Sequence, residues 1–234
     1  MSAPPGRHAS DYFEALASRY AERYSGAAGL WHRHFFEGRR RIALRWLLDA
    51  SPRVVADVGS GPGVLTADLA AAGARVVALD RAESMARLAR QGGAAAAVSD
   101  ALALPLRDHS VDAVTIGFGV RNFADVRGGL GEIARVLRPG GQLVVLEFFR
   151  DDRGARGELR GVAAPLRVAI GGMVRALGAA VGRDRGAYAY LPASMDQFLT
   201  VREFRDLLAE YGFTDVDVER QTFGIAHIVS GRLP

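Results

Sequence analysis

From Arg53 onward, short apolar runs rich in β-branched residues alternate with stretches of helical periodicity, and this alternation constrains the fold more than any other feature. Arg53-Val-Val-Ala-Asp-Val58 reads as a buried strand, followed by Gly59-Ser-Gly-Pro-Gly63 and a helical stretch to Ala72. Ala74-Arg-Val-Val-Ala-Leu-Asp80 reads as a second strand, backed by a helix over Ala82–Gln91. A weak third strand is predicted over Ala95–Ser99 and a fourth over Val111–Ile116. Asp125 then caps a helix that stops at Arg138-Pro-Gly-Gly141, before a fifth strand over Gln142–Phe148. Strands separated by helices of about 10–15 residues form βαβ units and a parallel, doubly wound sheet.

Residues 151–195 break the rhythm. An Arg/Gly/Asp-rich stretch leads into apolar Val162–Val181, predicted to be a helical insertion that is either a buried core helix or a substrate cover. The alternation resumes with a capped helix over Thr200–Tyr211 and two strands, Thr214–Glu219 and Gln221–Ser230, close enough to pair antiparallel. Ahead of the first strand, Asp11–Asp49 is helical in pattern and rich in aromatic residues. The expectation is one domain over 1–234: an N-terminal helical cap (1–50), a cofactor-binding core (51–150), the helical insertion (151–199) and a C-terminal helix with two strands (200–234).

Composition narrows the chemistry. The chain has no Cys, and all 30 of its Lys+Arg positions are Arg. Without Cys there is no disulfide framework, thiolate metal site, cysteine-ligated cluster or cysteine nucleophile. Without Lys there is no Schiff-base chemistry and no Walker-type phosphate loop. The Arg excess as a whole reads as codon bias. The formal net charge of +4 is weak, because acidic residues are interspersed with the basic ones. No stretch approaches the roughly 18 apolar residues that span a bilayer, and Met1–Ser10 lacks an apolar signal core. A cytoplasmic location is expected, with contact at a membrane surface and homodimer formation left open.

Asp57-Val-Gly-Ser-Gly-Pro-Gly63 stands at a strand-to-helix junction, where glycines admit a ligand to the backbone and a helix N-terminus offers free N–H groups. Asp80 closes the second strand, where such folds place an acidic residue on ribose hydroxyls. A dinucleotide loop has Gly-x-Gly-x-x-Gly, but Val64 stands where the last glycine would fall. The tighter D-x-G-x-G-x-G spacing resembles the class I methyltransferase motif. Asp80-Arg-Ala-Glu-Ser-Met85 resembles that fold's D-x-x-x-x-M, in which the Met packs on adenine, and Asp100-Ala101 resembles its acidic adenine-binding position. The resemblance implies S-adenosyl-L-methionine as cofactor, a mostly parallel seven-stranded sheet with an antiparallel C-terminal strand, and no metal. Because a radical use of that cofactor needs cysteine, polar methyl transfer remains.

Thr115-Ile-Gly-Phe-Gly-Val-Arg-Asn-Phe123 follows the fourth strand. With Glu132–Phe148, Tyr188-Ala-Tyr-Leu-Pro-Ala-Ser-Met195 and, more loosely, Thr222-Phe-Gly-Ile-Ala226, it resembles the ubiquinone/menaquinone C-methyltransferase family over about Val54–Gly231. The resemblance implies cofactor contacts at Pro62, Asp80, Asp100, Ala101 and Gly117, with Asp57, Gly59, Gly61, Gly63 and Met85 completing the set. It also implies methylation of a ring carbon in a prenylated quinol. Such a site must stabilise a phenolate and receive a proton. An arginine stays cationic at working pH, so Arg121 is the candidate to stabilise the oxyanion, with Asn122 fixing geometry. Tyr188, Tyr190 and Asp196 are candidates for substrate contact or proton relay. Where the family ends on a His, this chain has Val229; His227 lies two residues earlier, on the same strand face, as a candidate base or an ordinary half-exposed His.

Two other readings fit the residues. One is a C- or O-methyltransferase of a phenolic or polyketide-like metabolite; the other is a non-catalytic cofactor-binding module. Nucleic acid is not an expected partner, because neither an amide-clamping motif nor a basic arm is present.

Overall fold

The computed structural model describes Glu14, Leu44, Arg45, Leu47 and residues 51–150, 197–221 and 226–234. Seven strands form one sheet: β1 (Val54–Val58), β2 (Arg75–Asp80), β3 (Ala95–Val98), β4 (Val111–Gly117), β5 (Leu137–Glu147), β6 (Thr214–Gln221) and β7 (Ala226–Arg232). Their order is β3-β2-β1-β4-β5-β7-β6. The pairs among β1 to β5 are parallel, whereas β7 runs antiparallel to both β5 and β6. The expected mostly parallel sheet with an antiparallel C-terminal strand is therefore present. Helices α1 (Val64–Ala71), α2 (Glu83–Gln91), α3 (Val126–Val136) and α4 (Val201–Glu210) connect the strands or pack on them. Strand order reverses between β1 and β4, and ligands bind α/β sheets at such a switch point, beyond the carboxyl ends of the strands.

The central strands β1, β4 and β5 are buried on both faces, which is why they read as continuous apolar runs. Along β5, Leu143 and Val145 face one cluster with Leu130 and Ile133 of α3 and Phe204 and Leu208 of α4. The alternate residues Val144 and Leu146 face a second cluster with Val55, Leu69, Ile228 and Leu47. Two helix starts are capped as their sequences require. Asp125 accepts a hydrogen bond from the Arg127 N–H, and Thr200 with Glu203 forms a reciprocal capping box.

Several boundaries differ from those predicted from sequence. Helix α3 ends at Val136 as the stop signal requires, but β5 begins at once with Leu137 rather than at Gln142. Leu137 pairs with Val111 across an irregularity, and the Arg138 guanidinium holds the Asp112 carboxylate at 2.6 Å, which draws this segment into the sheet. Pro62 lies in the turn ahead of α1 rather than inside its first turn; Gly63, at φ 80°, is the N-cap. The last strand runs to Arg232 instead of Ser230. The helical insertion expected at 151–195 lies outside the described residues. So do most of the expected N-terminal helices, of which Glu14, Leu44, Arg45 and Leu47 are helical.

The capping box and the core differ in what they contribute. Thr200→Ala is expected to cost about 1 kcal/mol, the usual value of an N-cap. Phe204→Ala, at a fully buried position, is expected to cost about 3–5 kcal/mol. Urea denaturation of both variants checks the ranking, and equal costs would contradict it.

Candidate active site

The glycine loop is built around Asp80. Gly59 and Gly61 adopt left-handed backbone at φ 67° and 56°, which a side chain would strain. The Asp80 carboxylate accepts hydrogen bonds from the Gly61 N–H at 2.8 Å and the Ala82 N–H at 2.9 Å, while Gly59 and Ser60 donate to the Leu79 carbonyl. Asp80 thus ties the loop after β1 to the end of β2 and keeps lone pairs for a ligand's hydroxyls. Burial raises its pKa above the usual carboxylate value, against the backbone donors. Glu14, from the N-terminal segment, accepts from the Ser84 N–H in the first turn of α2, at 3.2 Å to the nearer oxygen. Sequence reasoning missed this residue, because nothing in its local pattern points to a partner so far along the chain.

Open space borders the loop where a ligand would enter. A Cβ placed on Gly61 or on Gly117 at the end of β4 meets nothing within 4 Å among the described residues. Gly63 differs: a Cβ there would lie 3.0 Å from Ala89 Cβ, so this glycine serves the packing of α1 against α2. Met85 on α2 is buried. Asp100, just after β3, accepts from the Leu102 N–H at 3.0 Å and pairs with Arg81 at 3.5 Å, with half-buried Ala101 beside it. Asp57, Gly59, Gly61, Asp80, Asp100 and Gly117 therefore all stand at the carboxyl ends of β1 to β4. A cradle with a backbone opening and acidic acceptors fits a ligand carrying ribose hydroxyls and an ammonium group.

Asp57 is fully buried and accepts a hydrogen bond from the Thr66 hydroxyl of α1 at 2.6 Å. Burial is the main reason its pKa is pushed up from 3.8 to about 7; Asp80 adds to the rise and Thr66 opposes it.

On the other side of the switch point, β4 is followed by Phe118, at φ 59°, and a short 3-10 turn, Val120–Asn122. Here Arg121 meets Glu147, the last residue of β5. The guanidinium reaches the carboxylate at 2.6 Å and the Phe118 carbonyl at 2.8 Å, and the pair is 6% and 0% exposed. Glu147 also accepts from the N–H groups of Phe148 at 2.7 Å and Arg121 at 3.3 Å. Burial raises the Glu147 pKa against the attraction of Arg121. Asn122 lies beside this pair, its amide 3.5 Å from the Phe118 carbonyl. The sequence places Arg121 at this edge but shows it facing only the acceptor. The signal for its partner was a lone acid inside the apolar strand Leu143–Phe148, since a buried carboxylate needs a counter-charge.

His227 is buried on β7, not half-exposed, and pairs in register with Glu147; its ring meets Phe149 edge-on at 5.9 Å. Val229 shares its face and lies in the core, whereas Ile228 faces the other cluster, as the alternation predicts. Tyr188, Tyr190 and Asp196 lie outside the described residues.

This fold is that of class I methyltransferases. Magnesium protoporphyrin IX methyltransferase from Synechocystis shares it with a TM-score of 0.67 at 17% identity, covering 97% of this chain and 99% of that one. A SAM-dependent methyltransferase of Thermotoga maritima does so with a TM-score of 0.66 at 20% identity, covering 96% and 99%. At the level of sequence, the profile of the ubiE/COQ5 methyltransferase family matches residues 10–232, and the chain belongs to that family. It is 40% identical to the demethylmenaquinone methyltransferase of Thermus thermophilus over 203 residues, spanning 83% of this chain and 89% of that relative. It is 32% identical to the ubiquinone/menaquinone biosynthesis C-methyltransferase of Dinoroseobacter shibae over 229 residues, spanning 94% and 88%.

Asp57 makes stability pH-dependent in a definite direction. A carboxyl whose pKa is raised on folding contributes most below its unfolded value near 3.8, and that contribution is lost as pH rises through about 7. A tenfold change in proton affinity corresponds to about 1.4 kcal/mol, so the loss is expected to reach a few kcal/mol. Denaturation of the ligand-free protein from about pH 5 to about pH 8 should show this slope, and Asp57→Asn should flatten it. Parallel slopes in the two proteins would rule it out.

Proposed function

We propose that this chain transfers a methyl group to a ring carbon of a prenylated quinol of the demethylmenaquinol or demethylubiquinol type, with S-adenosyl-L-methionine as the methyl donor. The observation that carries the reading is the pairing of two halves at one sheet edge. The glycine loop with Asp57 and Asp80 lies on one side, and the Gly117–Asn122 turn with its buried arginine on the other. Family membership and relatives named for the methylation of demethylmenaquinone support the choice of acceptor.

When bound, the donor supplies an electrophilic methyl on a positively charged sulfur. The residues of the chain then divide the work. Asp80 and Asp100 accept hydrogen bonds from the nucleoside end, and Asp57 faces the ammonium end, whose positive charge favours its ionised form. Gly117 leaves room at the end of β4 between donor and acceptor. A ring carbon is nucleophilic when the neighbouring hydroxyl gives up its proton, so a donor is needed at the ring oxygen. Arg121 supplies it, and the Nε of its guanidinium is buried without a hydrogen-bond partner among the described residues. An orphaned buried donor costs about 1–3 kcal/mol, and a ligand oxygen removes that cost. His227 stands on the same side of the sheet as the candidate to take the released proton. We place the enzyme in the cytoplasm, meeting its lipophilic acceptor at the membrane surface; among the described residues no helix is long and apolar enough to cross a membrane.

Two measurements test this. Purified protein given S-adenosylmethionine and a reduced demethylmenaquinone should yield the ring-methylated product by mass spectrometry, and a strain lacking the gene should accumulate the demethylated quinone. An unchanged quinone pool would point to another phenolic acceptor. Independently, Asp80→Asn should weaken S-adenosylhomocysteine binding about 10–100-fold by calorimetry, since hydrogen bonds to a charged group are worth about 1.5–3 kcal/mol. Wild-type affinity in that variant would remove Asp80 from the site.

A further inference from the structure

Resting on that reading, the acceptor side of the site holds more than a lone cation. A buried ion pair adds little net stability, because stripping water from two charges offsets their attraction. The Arg121–Glu147 pair is nonetheless held by several contacts. One guanidinium nitrogen is shared between the Glu147 carboxylate at 2.6 Å and the Phe118 carbonyl at 2.8 Å. The Arg121 backbone N–H reaches the other carboxylate oxygen at 3.3 Å, and the guanidinium lies over the Phe148 ring, 5.7 Å from its centre. That ring stacks on Phe118 at 4.6 Å. Both rotation and translation of the guanidinium are thereby restricted. Its Nε is buried and unsatisfied among the described residues.

We propose that Glu147 is a positioning residue for methyl transfer. It fixes Arg121 through one nitrogen, cancels its charge, and leaves Nε–H to donate to the oxygen of an acceptor that binds as the neutral hydroxyaryl form. Among the described residues, His227 of β7 stands opposite Glu147 in register, and exposed Arg220 of β6 stands opposite His227. A bare arginine at this position would instead select anions, and a free carboxylate would repel them. Paired, they present a dipolar donor of no net charge, suited to a quinol that arrives protonated from an apolar phase.

The test uses Glu147→Gln and Glu147→Asp in the full-length protein. Three readouts are taken: S-adenosylhomocysteine binding by calorimetry, steady-state kinetics with reduced demethylmenaquinone, and inhibition by 2-hydroxy-1,4-naphthoquinone, an anion at neutral pH. Glu147→Gln should bind S-adenosylhomocysteine within about twofold of wild type, because the glycine loop is untouched. Its kcat should fall about tenfold or more with KM little changed. Uncovering the arginine charge should tighten inhibition by the naphthoquinone anion about fivefold or more, an effect of the order of a surface-to-buried charge contact. A Gln variant with wild-type kcat, or with unchanged affinity for the anion, overturns the proposal. If the Gln variant loses S-adenosylhomocysteine binding through misfolding, Glu147→Asp decides. It keeps the charge but shortens the arm, so wild-type inhibition with reduced kcat is required, and a wild-type kcat overturns the proposal. The inhibition arm needs no turnover. Failure of wild-type protein to methylate the quinol would therefore count against the acceptor, not against Glu147.

Discussion

The backbones of Gly59 and Gly119 meet side by side at the carboxyl edge of the sheet, and the arrangement of the rest of the site follows from this junction. A Cβ on Gly59 would lie 3.6 Å from Gly119 Cα, and one on Gly119 would lie 3.1 Å from an Ile116 methyl. This is where β1 and β4 lie side by side and their chains depart in opposite directions along the sheet. The loop that follows β1 carries the groups proposed for the cofactor, and the turn that follows β4 those proposed for the acceptor. Across the crossing a Cβ would make only ordinary contact, but Gly59 holds left-handed backbone that a side chain would strain, and a Cβ on Gly119 would crowd Ile116 of β4.

The two halves are built on different physical principles. The cofactor side is a set of acidic groups partly neutralised by backbone N–H donors. Asp80 takes two such bonds, and Asp57 takes a hydroxyl bond from Thr66. Burying several carboxylates together raises the pKa of Asp57 and Asp80, and that energy is recovered when a positively charged ligand enters. The proposed acceptor side pairs one carboxylate with one guanidinium, joined directly and flanked by aromatic rings. The first half suits a cation and the second a neutral ring, which fits the proposed reaction between a sulfonium donor and a quinol.

The cofactor side was legible in sequence because its parts are local. Strand, glycine turn and helix follow one another within residues 54–71, and Asp80 lies one βαβ unit away, so spacing alone places them together. Boundaries were less legible where side chains decide them. The turn at Arg138–Gly141 carries every mark of a break, yet it joins β5 because Asp112 recruits Arg138 from the neighbouring strand. The acceptor side was legible only by half. Arg121 and Asn122 stand in a recognisable segment, but Glu147, the partner of Arg121, is 26 residues away and meets it only because β4 and β5 are adjacent. His227 reaches Glu147 through antiparallel pairing of β5 and β7, a register that no local pattern records.

By itself, then, the amino-acid sequence determined the class of fold, the glycine loop with its acidic ribose position, and the polar character of the chemistry. These follow from periodicity, from glycine's conformational freedom and from the absence of Cys and Lys. Only the tertiary structure decided what Arg121 is. In sequence it is a cation at the carboxyl edge of the sheet; in the folded chain it is half of a buried pair of no net charge, with an Nε that has no hydrogen-bond partner among the described residues. The reason is burial. A charge removed from water must find its counter-charge, and which one it finds depends on the strands that the sheet brings together.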